Sequence, residues 1–294
     1  MAQAHADADK YYIPHSSPWP IFGSVTLFVL MSGAIGTLNS WLPAWALVPG
    51  FGMLALLFVF WFHTVIGENQ KGMYNLQVDR SFRLGMMWFI FSEVMFFGAF
   101  FGALFYARNF SVPWLGGEGV KIFSKLLLWS NYDGVWPTNG PAAVGPRANG
   151  TFETVPALGL PAVNTVILLS SSVTVTIAHH ALITGHRLRL KVFLALTFLL
   201  GFTFVGLQAY EYHEAYTELG LQLGTGIYGS TFFMLTGFHG MHVTVGAIML
   251  TVIWFRVLRG HFTPQRNFGF EAVSWYWHFV DVVWLGLFMF VYWL

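Results

Sequence analysis

The sequence predicts an all-α, polytopic membrane protein with seven transmembrane helices, and three observations carry that prediction. Of the 294 residues, 56% are hydrophobic and 9% are charged, against roughly 25% charged in a soluble domain, so a water-facing surface cannot be built from this inventory. Aromatic residues reach 19%, with 31 Phe and 13 Trp, which suits lipid-facing helices with aromatic belts at the interfaces. Apolar stretches long enough to cross a bilayer, about 20 residues each, recur seven times: at 21–40, 45–66, 84–106, 157–184, 192–209, 228–258 and 272–294.

The first two stretches follow a polar segment, 1–20, that carries Asp7, Asp9 and Lys10 and has no apolar core behind a basic start. It is not expected to act as a signal peptide, so insertion falls to the first transmembrane helix. The short connection between the stretches makes 21–66 a two-helix hairpin. Residues 67–83 form a basic linker with Lys71, Arg80 and Arg83, and 84–294 holds the other five helices as a bundle. The third stretch is interrupted by Glu93 and is followed by a long loop, 107–156, rich in Gly, Pro and Asn. Within that loop Val120, Phe123, Leu126 and Leu127 share one helical face. They read either as a short interfacial helix or as a loop with a hydrophobic tuck. The sixth stretch is long enough to tilt or to extend past the hydrocarbon.

Lys and Arg set the expected orientation. With the N-terminus inside, Lys10, Lys71, Arg80, Arg83, Arg187, Arg189, Lys191, Arg256, Arg259 and Arg266 all fall on inner segments, as the positive-inside rule requires. The outer connection after the fifth stretch instead carries Glu211, Glu214 and Glu218, most simply a solvated surface. Cysteine is absent, which excludes disulfides, thiolate metal sites, Fe–S clusters and a nucleophilic Cys. No basic run suggests nucleic acid.

Ionisable groups inside the spans are the informative residues, because each costs several kcal/mol unless neutralised or paired. Glu93 sits among Phe96, Phe97, Phe100 and Leu104 on one helical face, opposite Gly98 and Gly102, which are spaced as a close-packing pair. Such a carboxyl is expected to be held as the neutral acid by a group on another helix, with His239 and His242 as the expected partners. It serves as helix glue or as a proton-linked site. Asp281 lies one turn after His278, flanked by Trp277 and Trp284, and the pair either shares a proton or orients its helix through an internal hydrogen bond. His179, His180, His239 and His242 lack the convergent third and fourth ligands that a metal requires, so no metal site and no catalytic residue is assigned.

Several segments in fixed order resemble the cytochrome c oxidase subunit III family over nearly the whole chain. They are Ser17-Pro-Trp-Pro20, the run from Arg83 through Ser92-Glu93-Val94 to Phe97, Ala178-His-His-Ala-Leu182, and Gln208-Ala-Tyr-Glu-Tyr-His-Glu-Ala215. Tyr228-Gly-Ser-Thr-Phe-Phe233, Thr236-Gly-Phe-His-Gly-Met-His242, His261-Phe262, Phe268-Gly-Phe-Glu-Ala272 and the run from Trp275 to Trp284 complete the set. The resemblance implies that the hairpin splays from the five-helix bundle to leave a V-shaped, phospholipid-filled cleft. It implies a non-catalytic core subunit without its own redox cofactor, associated with subunits I and II. Haem and copper reside in those partners, and the complex passes electrons from cytochrome c to dioxygen and pumps protons. The chain would support proton uptake and protect the catalytic subunit during turnover. By position, Glu93 matches the family's buried glutamate, Trp61 an aromatic lining the cleft, and Glu68, Arg256, Arg259 and His261 the holders of lipid headgroups. The chain departs from animal members at Tyr74 and Asn75, where histidines are common, and at Gly159, where an acid is common. Its loop is enlarged around 110–129, which points to a bacterial inner membrane ahead of a mitochondrial one. Two alternatives stand beside this reading: a membrane metalloenzyme such as a hydroxylase, and a subunit III-like protein of a quinol oxidase or nitric oxide reductase. The quinol oxidase relatives lack the hairpin that 21–66 supplies here.

Overall fold

The computed structural model describes residues 16–147 and 150–294. The N-terminal segment 1–20 that was expected on the inner side, with Lys10, therefore lies largely outside the described residues. Seven helices are long and apolar enough to cross a membrane. They are α1 (Trp19–Leu38), α2 (Leu47–Gln70), α3 (Leu76–Tyr106), α4 (Leu160–Ile183), α5 (Arg187–Thr217), α6 (Gly226–Leu258) and α7 (Phe268–Leu287). Among the described residues there is no β-strand.

Several predicted boundaries move. The expected basic linker 67–83 is mostly helical: α2 runs to Gln70 and α3 begins at Leu76. The Asn75 side chain accepts from the Val78 amide at 3.0 Å, and Arg83 pairs with Asp79 at 2.8 Å one turn on, so local bonds extend α3 past its apolar stretch. At its other end α3 continues through a π turn (Ala107–Ser111) into the turn Val112–Leu115, taking nine residues from the predicted loop. α5 extends at both ends, so Arg187, Arg189 and Lys191 belong to its first two turns and Glu211 and Glu214 to its last turns. Charged residues ended the apolar windows without ending the helices.

The chain divides into two compact units, Met1–Leu84 and Gly85–Leu294. In the first, α1 and α2 pack backbone to backbone. A methyl group added at Gly50 would lie 2.6 Å from Leu30 Cα, and one at Gly33 would lie 2.7 Å from the Ala46 carbonyl oxygen. Leu30, Leu57 and Thr26 are the buried side chains of this hairpin with more than one carbon.

The second unit is organised around Trp277 of α7, which is fully buried. Its indole lies where a methyl on Gly201 of α5 would stand, at 2.6 Å, and where one on Gly246 of α6 would stand, at 2.8 Å. The indole Nε1–H donates to Ser171 Oγ of α4 at 2.9 Å, so one side chain ties four helices. A second rung joins α7 to α4, with Trp284 Nε1–H donating to Thr165 Oγ1 at 2.9 Å. Thr174 and Thr197 hydroxyls meet at 2.8 Å between α4 and α5, and Tyr212 and Thr236 hydroxyls at 2.6 Å between α5 and α6. Small residues let these backbones approach, and hydroxyls bond across the seams, as membrane helices do without a hydrophobic force between them. The expected close-packing pair Gly98 and Gly102 behaves differently: both face open space.

The Gly/Pro-rich loop is docked at one end of this unit. Trp136 meets Tyr228 edge-on at 5.5 Å and Phe152 stacks on it at 5.4 Å, and the Glu153 amide donates to the Leu219 carbonyl at 2.9 Å. Arg147 donates to the Glu218 carbonyl and lies 3.4 Å from Glu153. Residues 119–121 form a 3-10 turn and 124–128 a π turn, with Val120, Phe123, Leu126 and Leu127 all exposed. The hydrophobic tuck is therefore not formed.

Candidate functional site

Glu93 stands midway along α3, and its Oε2 lies 2.9 Å from His242 Nε2 of α6. Both side chains are largely buried, at 21% and 8% exposure. The pocket is aromatic. Phe97 meets the His242 ring edge-on at 5.1 Å, Phe96 lies at 6.2 Å, and Tyr276 of α7 stacks nearly parallel at 6.3 Å. Phe97 and Leu104 are buried on the same face of α3 as Glu93, the face that helical spacing predicts.

The hydrogen bonds constrain where the protons of His242 sit. His242 Nδ1 lies 2.6 Å from the Phe238 carbonyl oxygen. A carbonyl only accepts, so Nδ1 carries a hydrogen. That leaves one proton between Nε2 and Oε2. It sits either on the carboxyl, donated to a neutral imidazole, or on the imidazole, donated to a carboxylate. Both arrangements are electrically neutral as a pair, which is the cheap state at membrane depth. Chemically, the contact is a carboxyl–imidazole hydrogen bond that joins α3 to α6.

The other expected partner, His239, is engaged elsewhere. Its Nε2–H donates to the Val280 carbonyl of α7 at 3.2 Å, and its ring packs on Trp284 at 5.1 Å and on Phe204 at 5.6 Å. His239 thus orients α6 against α7 and does not touch Glu93. The His278–Asp281 pair is also looser than expected. Nδ1 and Oδ2 are 3.8 Å apart, beyond a hydrogen bond. His278 instead bonds α4, with Nδ1 2.8 Å from Ser172 Oγ and Nε2 3.4 Å from Thr176 Oγ1. An i,i+3 pair on one helix is held at that spacing by the backbone, whereas the α4 hydroxyls approach the imidazole directly.

The acids at the end of α5 are not a solvated surface throughout. Glu211 is 1% exposed. Its Oε1 accepts from the Tyr292 hydroxyl at 2.6 Å and from Gln208 Nε2–H at 3.1 Å, forming a second internal carboxyl site. The signal was present in the 3.6-residue stripe Phe204, Gln208, Glu211, Ala215, all buried on α5.

The expected lipid-binding residues fall in both units. In the first, Trp61 is 45% exposed, and Glu68 Oε2 accepts from the Tyr74 hydroxyl at 2.6 Å. In the second, the Arg256 guanidinium lies 4.4 Å above the Phe262 ring, and its Nε has no hydrogen-bond partner. Gly260 (φ 75°) ends α6 in the left-handed region, and the His261 amide bonds back to the Arg256 carbonyl, which sets His261 beside Arg256 and Arg259. Partial desolvation, then the positive charges of Arg256 and Arg259, hold the His261 imidazole below its ordinary value of 6.5. His179 Nε2 is 3.6 Å from Glu271 Oε1. Among the described residues no three His, Asp or Glu side chains converge.

The family model described as cytochrome c oxidase subunit III matches residues 9–122 and 120–294. Curated relatives named cytochrome c oxidase subunit 3 match over nearly their whole length. The quail Coturnix japonica protein is 40% identical over 287 residues, 97% of each chain. The pufferfish Tetraodon nigroviridis protein is 40% identical over 295 residues, 99% of this chain and 98% of its own.

Proposed function

The chain belongs to the cytochrome c oxidase subunit III family, and on that premise we propose that it is the non-catalytic third core subunit of a proton-pumping oxidase, seated beside subunits I and II. Family membership makes it a component of an oxidoreductase complex. The finer reading assigns the haem and copper to the partner subunits and gives this chain three tasks: stabilising the catalytic subunit, holding phospholipid and assisting proton uptake.

The observation that carries the reading is the Glu93–His242 pair: a single proton held at mid-span between α3 and α6, in an aromatic pocket. Such a pair joins two helices and also exchanges a proton without leaving a net charge in the membrane. The Lys/Arg distribution supports placing the start of α5, the end of α6 and the start of α7 on the inner side, with the long loop outside. Arg256, Arg259 and His261 then form an inner cationic patch, where each basic residue attracts an anionic headgroup by about 1 kcal/mol.

Isolation of the tagged chain from its native membrane in mild detergent tests this. The expected product is a complex that contains haem and copper subunits and consumes oxygen with reduced cytochrome c. A complex driven by quinol alone, or the chain recovered without haem-bearing partners, would overturn it.

A further inference from the structure

Unpartnered polar atoms gather where the start of α4 faces the last turns of α5. Asn164 is fully buried, and neither its Oδ1 nor its Nδ2 has a hydrogen-bond partner on the protein. Gln208, 5% exposed, has a free Oε1, and Glu211, 1% exposed, has a free Oε2. The register of the two helices brings these side chains together. Thr174 and Thr197 meet across the seam at 2.8 Å, and nearer the docked loop Leu160 and Glu211 line one cavity. Between those two contacts, Asn164 lies one turn from Leu160 and Gln208 one turn from Glu211, each on the buried stripe of its helix. Antiparallel packing therefore sets Asn164 opposite Gln208. The cavity, about 200 Å³, lies beneath the loop at Val155 and Pro156, and Glu214 also lines it.

Charge decides what such a cluster takes. Tyr292 O–H and Gln208 Nε2–H both donate to Glu211 Oε1, so this oxygen accepts twice, as a carboxylate oxygen does. Among the described residues no Lys, Arg or His pairs with Glu211. A buried carboxylate needs a partner or a bound cation, because burial strips it of water. The free atoms beside it include the amide oxygens of Asn164 and Gln208 and the second carboxyl oxygen, all hard oxygen ligands. One carboxylate among neutral amides balances one positive charge, whereas divalent ions draw on several carboxylates. Glu214, half-buried at the cavity, raises the local concentration of cations at the entry.

We infer that Glu211, Gln208 and Asn164 form a binding site for a monovalent alkali cation, which enters through the cavity beside Glu214. Bound there, the cation neutralises Glu211 and joins α4 to α5 at the end of the bundle where the long loop docks. Tyr292 holds the carboxylate in place from the C-terminal turn.

Thermal unfolding of the complex purified through this chain tests it, with sodium chloride titrated against choline chloride at fixed ionic strength. Sodium that binds only the folded site raises the midpoint. The parent is expected to show a saturable rise of a few degrees that choline does not give, and Glu211→Gln should lose it. Asn164→Ala should keep the rise but need several-fold more sodium for half of it, and it reads the site even if Glu211→Gln fails to assemble. Glu214→Gln should likewise raise the half-saturating concentration. An equal sodium response in the parent and in Glu211→Gln, or in the parent and in Asn164→Ala, would overturn the proposal. So would a parent with no sodium response, as expected of a site that holds only a proton or water. A Glu211-dependent rise given by calcium but not by sodium would overturn the assignment to a monovalent ion.

Discussion

The hairpin α1–α2 and the helices α4–α7 solve the same problem, packing apolar helices in an apolar solvent, by opposite means. The hairpin relies on backbone contact at Gly33 and Gly50 and buries few side chains, with 11% of the α2 window inside. The bundle buries half of the α7 window, around a Trp and a series of hydroxyl, indole and imidazole bonds. On the bundle helices two hydrogen-bonded carboxyls, Glu93 and Glu211, are 21% and 1% exposed. Where polar groups bond across helices, a chain gains defined geometry and a place to hold a proton. Where only glycines meet, it gains a close pair whose remaining surface is free for lipid or partners.

The comparison breaks most visibly at Trp277. Trp277→Ala removes the side chain shared by four helices and should cost about 3–5 kcal/mol, read as a large fall in thermal stability in detergent. Protection of hairpin amides from hydrogen exchange should persist. Gly50→Leu is the converse, an overpacking cost of about 1–3 kcal/mol. Its loss of protection should be confined to 19–70, and spread of the damage into α4–α7 would show that the two units are not separate in stability.

Glu93 tests whether polar pairing carries the bundle's geometry. Glu93→Ala leaves His242 Nε2 without a partner and should destabilise by about 1–3 kcal/mol, whereas Glu93→Gln retains a donor to that nitrogen and should assemble normally. Equal stability of the two variants would show the pair to be energetically idle. Tyr292→Phe removes one of the two donors to Glu211 and should cost about 1 kcal/mol.

The smallest effect concerns charge. The folded-state value of His261 lies below 6.5, so the unfolded chain takes up this proton at higher pH than the folded one. This residue's contribution therefore erodes stability as pH falls through 6.5 and below. Arg256→Gln, or addition of anionic phospholipid, should raise the His261 midpoint in an NMR titration. An unchanged midpoint with lipid would argue against headgroup binding at this patch.

Seven helices were legible because apolar length is a direct readout of bilayer thickness, and Glu93 was legible because a carboxyl inside such a stretch is costly. Helix ends were not. Asn75, Arg83, Arg187 and Glu211 lower the hydropathy of a window without breaking a helix, since i,i+4 pairing and capping stabilise polar turns. Spacing alone could not choose between His239 and His242, which lie on one side of α6. The choice depends on where α3 and α7 stand around it, with the Val280 carbonyl facing one ring and Glu93 the other. Gly98 and Gly102 carried a packing signal, yet within this chain nothing meets them. Sequence spacing describes a surface that is able to pack, and neighbours decide whether it does.

The central claim is that this chain assists an oxidase without holding a redox centre, and dissociating the complex tests it most directly. After the purified oxidase is stripped of this subunit with detergent, haem absorbance in the reduced-minus-oxidised spectrum and copper by metal analysis should both stay with the remaining subunits. The released chain, washed with chelator, should carry neither. Haem absorbance or stoichiometric metal travelling with the released chain would contradict the account.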